Sequence, residues 1–153
     1  MALAFERRSG GGALLCAAVL ALAAGPAAAA AGVPVKVRII KGSRQGPPSF
    51  DPKLADVQHQ LAEAGLAYQR WEQVGEQQFD LDFGKSASMP LPDGSSLELR
   101  LVSGQPNTVT FDVRLPRQDK PKRLTFSKEK RAVFRVSTHD GGDAFFATIR
   151  PWP

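Results

Sequence analysis

The residues that first invite a chemical reading lie late in the chain, in FRVSTHDGGDAFFATIRP, residues 134–151. His139, Asp140 and Asp143 surround two glycines there. An imidazole and two carboxylates are side chains that hold divalent metals or exchange protons. Ser137 adds a nominal nucleophile beside a base. The spacing favours a simpler account. Gly141-Gly142 between acidic residues, with alternating apolar residues on both sides, is hairpin-tip chemistry. A transition-metal site needs further ligands, and His59 is the only other histidine. The calcium-loop run D-x-D-x-D-G with its closing glutamate is missing. Ser137 and His139 are two apart on one strand, and no G-x-S-x-G turn is present. The turn is the favoured reading. A small hydrolase or metal-dependent enzyme using His139, Asp140 and Asp143 is the alternative.

Other chemistry is thinner. Asp80 and Asp82 project to one face of a strand and form a nominal carboxylate pair. On a solvent face such a pair more often serves solubility. No P-loop, dinucleotide fingerprint or H-E-x-x-H occurs, so no motif implies a cofactor, and the reading leans away from an enzyme. The strongest surface signal is electrostatic. RQDKPKRLTFSKEKR, residues 117–131, carries seven cations against two anions. Lys120, Lys122, Arg123, Lys128, Lys130 and Arg131 form the candidate binding surface, suited to an acidic envelope protein or an anionic envelope polymer. The competing account is that these cations guard exposed strand edges against aggregation. Nucleic acid is not expected as a partner, because the chain carries an export signal and no aromatic-rich RNA-binding motif.

The elements that must position these residues are mostly strands. Val35, Val37 and Ile39 alternate with Lys36 and Arg38. GPPSF interrupts, and Asp51-Pro52 then has the chemistry of a helix start. Leu54, Val57 and Leu61 make one apolar stripe, and the helix is expected to stop near Ala64, ahead of Gly65. Trp71 reads as core, either extending that stripe or sitting in a strand. Further alternation runs through Phe79–Phe83, Leu97–Leu101, Val109–Leu115, Leu124–Phe126, Ala132–Val136 and Ala144–Arg150. Pro92-Asp93-Gly94 is a turn. Trp152, between two prolines, is expected to pack against the fold, with an exposed anchor as the alternative. The fold class is α+β: mainly antiparallel β, as a curved sheet or small sandwich of about eight strands. One short helix, residues 52–64, is expected near the mature N-terminus.

The N-terminus reads as a secretory signal peptide, residues 1–31. Arg7 and Arg8 precede the apolar run Ala13–Ala24, and Ala-x-Ala sites follow from Ala29 to Ala31. A retained membrane anchor is the alternative, although the run is short and alanine-rich for a span. Cys16 is the only cysteine and has Leu15 before it, which argues against lipidation. Residues 32–153 would then form a single β-rich domain without cysteine, periplasmic or secreted, and held by its core rather than by disulfides. Cleavage would leave no stable transmembrane segment.

LPDGSSLEL, Leu91–Leu99, followed by VTFDVRLP, Val109–Pro116, is similar to segments of small exported β-rich proteins of unknown function from high-GC, myxobacteria-like bacteria. That resemblance implies an envelope location and carries over no catalytic residue. The function expected is a noncatalytic binding or accessory module of a cell-envelope assembly. An envelope polymer or lipid binder is a further alternative.

Overall fold

A computed structural model describes residues 32–64, 67–139 and 141–151. The stretch read as a signal peptide, together with Cys16, Asp140 and Trp152, lies outside them. Nine strands and one short helical segment occur among the described residues. They run β1 Val33–Ser43, β2 Ser49–Phe50, a 3-10 turn Pro52–Val57 continuing into α1 Gln58–Ala64, β3 Arg70–Leu81, β4 Ser86–Pro90, β5 Ser96–Gly104, β6 Thr108–Arg114, β7 Lys122–Ser127, β8 Ala132–Thr138 and β9 Asp143–Pro151.

The strands form two sheets. One has the order β2-β3-β1-β9-β8, the other β4-β5-β6-β7. Every pairing is antiparallel except β2 with β3. Alternation puts Val35, Val37 and Ile39 of β1 and Phe145, Ala147 and Ile149 of β9 into the same buried cluster as Leu97, Leu99 and Leu101 of β5 and Val109, Phe111 and Val113 of β6. That cluster draws on both sheets.

A second cluster occupies the other face of the five-stranded sheet. Leu54, Val57 and Leu61 bury the helical stripe against Ile40, Tyr68, Trp71, Ala144 and Phe146. The rings of Tyr68, Trp71 and Phe146 meet with centroids 5.2–5.6 Å apart. The rings close tightly over Gly42, where an added Cβ would stand 3.1 Å from Tyr68 and 3.2 Å from Trp71. Asp51 caps the helical start. Its carboxylate accepts from the backbone amide of Lys53 at 3.0 Å and from that of Gln73 in β3 at 3.2 Å.

Two expectations need correction. The helical segment follows two strands rather than lying near the N-terminus, because an 11-residue β1 comes first. The described strands number nine where about eight were expected; neither β2, a two-residue parallel pairing with Arg70 and Trp71, nor the five-residue β4 is marked by alternation. No helix among the described residues is long and apolar enough to cross a membrane.

A chain of charges ties the helix to the sheet. Arg38 Nη1 donates to Asp56 Oδ1 at 2.8 Å, and Arg131 Nη2 donates to Asp56 Oδ2 at 2.7 Å. Glu76 accepts from Arg38 Nε at 3.2 Å and pairs with Lys36 Nζ at 3.2 Å. The arginine side chains are only 15% and 11% exposed, while the Asp56 carboxylate they share is 42% exposed. Burial pushes the Asp56 carboxyl up, but the bond from Arg38 and the charges of Arg131 and Arg38 outweigh it and hold the group below the usual range. As pH falls, the unfolded chain therefore takes up this proton first. The stabilisation is whole above the unfolded value of about 3.9 and is lost as pH falls through the lower folded value. Asp56→Ala is expected to cost about 1 kcal/mol at pH 7, once screening of the half-exposed carboxylate is allowed for. The cost should shrink at pH 3. Urea denaturation at both pH values measures this, and equal losses would show that the carboxylate charge contributes nothing.

Candidate functional site

β8 and β9 are joined by the tip that holds His139. The tip closes with the His139 amide donating to the Asp143 carbonyl at 2.9 Å. Gly141 and Gly142 both have positive φ, 97° and 87°, a conformation that glycine adopts without steric cost. Upstream, the β8–β9 register shifts between Arg135 and Ser137. Such bulges re-aim side chains. Here Ser137 stands opposite Phe145, whose ring meets the His139 ring edge-on at 4.9 Å.

Two partners meet His139 at the same ring nitrogen. Ser137 Oγ lies 3.2 Å from Nε2, and Asp93 Oδ2 lies 3.3 Å from it. In a nucleophile relay the carboxylate orients one ring nitrogen while the opposite one takes the hydroxyl proton. This arrangement is not that relay. Asp93 is itself held by its own turn. Its Oδ1 accepts from the Ser95 hydroxyl and from the Ser95 amide, the latter at 3.0 Å. The Ser95 hydroxyl, against some burial, keeps the Asp93 carboxyl below its usual range.

Asp143 does not turn to a shared metal position with His139. Its carboxylate is bonded by the Ser43 hydroxyl, which with Lys41 holds its pKa low. Lys41 Nζ lies 3.2 Å from Oδ2. Among the described residues no three His, Cys, Asp or Glu side chains gather in a metal-holding group, and Asp140 lies outside those residues. Asp80 is exposed in β3, and Asp82 is exposed just beyond its end.

The basic stretch divides by pairing. Arg123 makes a two-pronged bond to Asp112 across the β6–β7 pair, Nε to Oδ1 at 2.8 Å and Nη2 to Oδ2 at 2.9 Å. Arg131 is bound to Asp56. Both are structural cations. Lys120, Lys122, Lys128 and Lys130 have no carboxylate partner among the described residues. Lys122 Nζ stands over the Phe134 ring, 5.8 Å from its centroid, so it spans the edges of both sheets. Lys122 opens β7, the end strand of its sheet, and Lys128 and Lys130 lie in the turn that follows it.

The sequence marks Asp93 only as a turn residue and Arg117 only as one cation of the basic stretch, and it marks neither Asp56 nor Asp112 as a partner. Asp93 had a signal, since an aspartate two residues before a serine in a turn makes this local bond. Asp56 and Asp112 have partners distant in sequence, so nothing local marked them.

No protein-family model, curated protein or solved structure matches this chain.

Asp143→Ala is expected to lower stability by about 1 kcal/mol through loss of the Ser43 and Lys41 contacts. Metal content of the purified protein, by elemental mass spectrometry, should not change. One equivalent of bound metal that disappears in His139→Ala would instead establish a metal site at the tip.

Proposed function

We propose that this chain is an exported, noncatalytic binding module, an accessory component of a cell-envelope assembly in the periplasm or outside the cell. Its two sheets act as a small sandwich that holds one edge rigid for a partner. The observation that carries this reading is the state of β7. It ends the four-stranded sheet, and four lysines without carboxylate partners among the described residues stand on or beside it. An end strand offers unpaired backbone groups to an incoming strand. The lysines select for acidic side chains along that strand and steer it in. The partner class is therefore an extended, acidic segment of an envelope protein. The proposal separates these lysines from Arg123 and Arg131, whose charges are already engaged within the fold.

Crosslinking capture from intact envelopes tests the proposal. Tagged protein is expected to recover one partner near equal stoichiometry, with recovery falling as salt rises. Changing Lys120, Lys122, Lys128 and Lys130 together to Glu should reduce recovery by about tenfold or more, a loss of about 1.4 kcal/mol, while Tm stays near that of the parent. Undiminished capture by a folded variant would remove the β7 edge from the function.

A further inference from the structure

Arg117 is the one non-glycine residue with positive φ among the described residues, at φ 62°. It stands in a turn that follows β6. Pro116 takes the second position of that turn, Arg117 the third, and the Gln118 amide closes it on the Leu115 carbonyl at 3.3 Å. Positive φ at the third position is the mark of a type II turn, where glycine fits best and a side chain is strained. An arginine held in such a conformation calls for a reason, and strained residues concentrate where ligands are held.

The turn fixes the backbone conformation but does not call for an arginine, and neither do contacts within the fold. The Arg117 side chain is exposed and has no hydrogen bond, ion pair or ring contact among the described residues. It stands on a ridge between two clefts. The first, of about 460 Å³, has Ser95, Ser96, Arg114 and His139 in its walls. The second, of about 320 Å³, has Arg135, Ser137 and Thr138. Arg117, with its neighbours Pro116 and Gln118, lines both.

The first cleft also contains two carboxylates. Asp93 is occupied by Ser95 and His139. Glu98 stands opposite Arg114 in the β5–β6 register, so one charge offsets the other. Asp119, two residues beyond Arg117, lines neither cleft. The cation left over in the first cleft is Arg117, with Ser96 in the wall of that cleft and Thr138 in the wall of the second. A guanidinium with two parallel N–H groups and nearby hydroxyls fits a carboxylate or phosphate group.

We infer that Arg117 anchors an oxyanion-binding site at the 115–118 turn, with the two clefts receiving the rest of the ligand on either side. The arginine stays at a position better suited to glycine because its side chain binds. This site is separate from the β7 edge and does not depend on it.

The test pairs binding with stability. Isotope-labelled protein is titrated at low salt with inorganic phosphate and, separately, with polyphosphate, and followed by NMR. Saturable shifts are expected at the amides of Ser95, Ser96, Arg117 and Gln118. Arg117→Gly should weaken binding at least tenfold and also raise Tm by about 4 °C, because the turn strain is relieved. Arg117→Lys, which keeps the charge and loses the fork, should bind at an intermediate level. Tighter binding of polyphosphate, with shifts spreading to Ser137 and Thr138, would assign the site to an anionic polymer. Equal affinity for the two would assign it to a free small anion. The inference is overturned by an absence of saturable shifts in both titrations, or by unchanged binding in Arg117→Gly. A fall in Tm for Arg117→Gly would also overturn it, since the arginine would then be retained for folding.

Discussion

The structure depends on a pair of strands that is buried from both sides. β1 and β9 lie at the centre of the five-stranded sheet. One face of the pair supplies Val35, Val37, Ile39, Phe145, Ala147 and Ile149 to the cluster shared with β5 and β6. The other face supplies Ile40, Ala144 and Phe146 to the cluster under the helical segment. Adjacent residues therefore enter different cores: Ile39 and Ile40 in β1, Phe145 and Phe146 in β9. A register slip of one residue would exchange the two sets and match neither core. Six consecutive residues of β9, Ala144–Ile149, are buried, including Thr148. This double burial gives the helical segment its place, since without it Phe146 and Trp71 would face water.

The charged residues follow from that arrangement. Where the helix covers only part of the outer face, the rest of β1 presents Lys36 and Arg38. These are joined through Glu76 and Asp56 to Arg131. Opposite charges alternate along the chain of contacts, so most of the local charge is consumed in holding the helical segment and the β7–β8 turn to the sheet. Across the other sheet Arg123 is consumed by Asp112. Within residues 117–131, the charge available to a partner is what remains after this pairing: the lysines around β7 and the strained Arg117. A basic stretch that looks uniform in sequence is thus two populations with different work.

His139 shows the same division between composition and geometry. A serine, a histidine and two aspartates lie close together among the described residues. Ser137 and Asp93 share one ring nitrogen, and Asp143 is turned to Lys41 and Ser43. The group ties the β8–β9 tip to the turn before β5. His139 and Asp93 line the larger of the two clefts beside Arg117.

Local physics made much of this fold legible in the residues alone. Period-two alternation located β1, β5, β6 and β8, because a half-buried strand must alternate, whereas β9 is buried over six consecutive residues. Asp51-Pro52 and the Leu54, Val57, Leu61 stripe located the helical segment, because capping and one-sided burial act over a few residues. The two-residue β2 had no periodicity to read. Trp71 stood between helix and strand, because its choice is made by Phe146 and Tyr68, which come from other parts of the chain. The partition of the two sheets, the sharing of Asp56 between Arg38 and Arg131, and the meeting of Asp93 with His139 join residues far apart in sequence. The same holds for the strain at Arg117, since proline followed by arginine fits more than one turn type and the flanking strands select one. Local order is a property of short stretches with their solvent, and could be deduced from them. Which charges are spent and which stay available depends on what long-range packing brings within bonding distance, and only the assembled fold settles that.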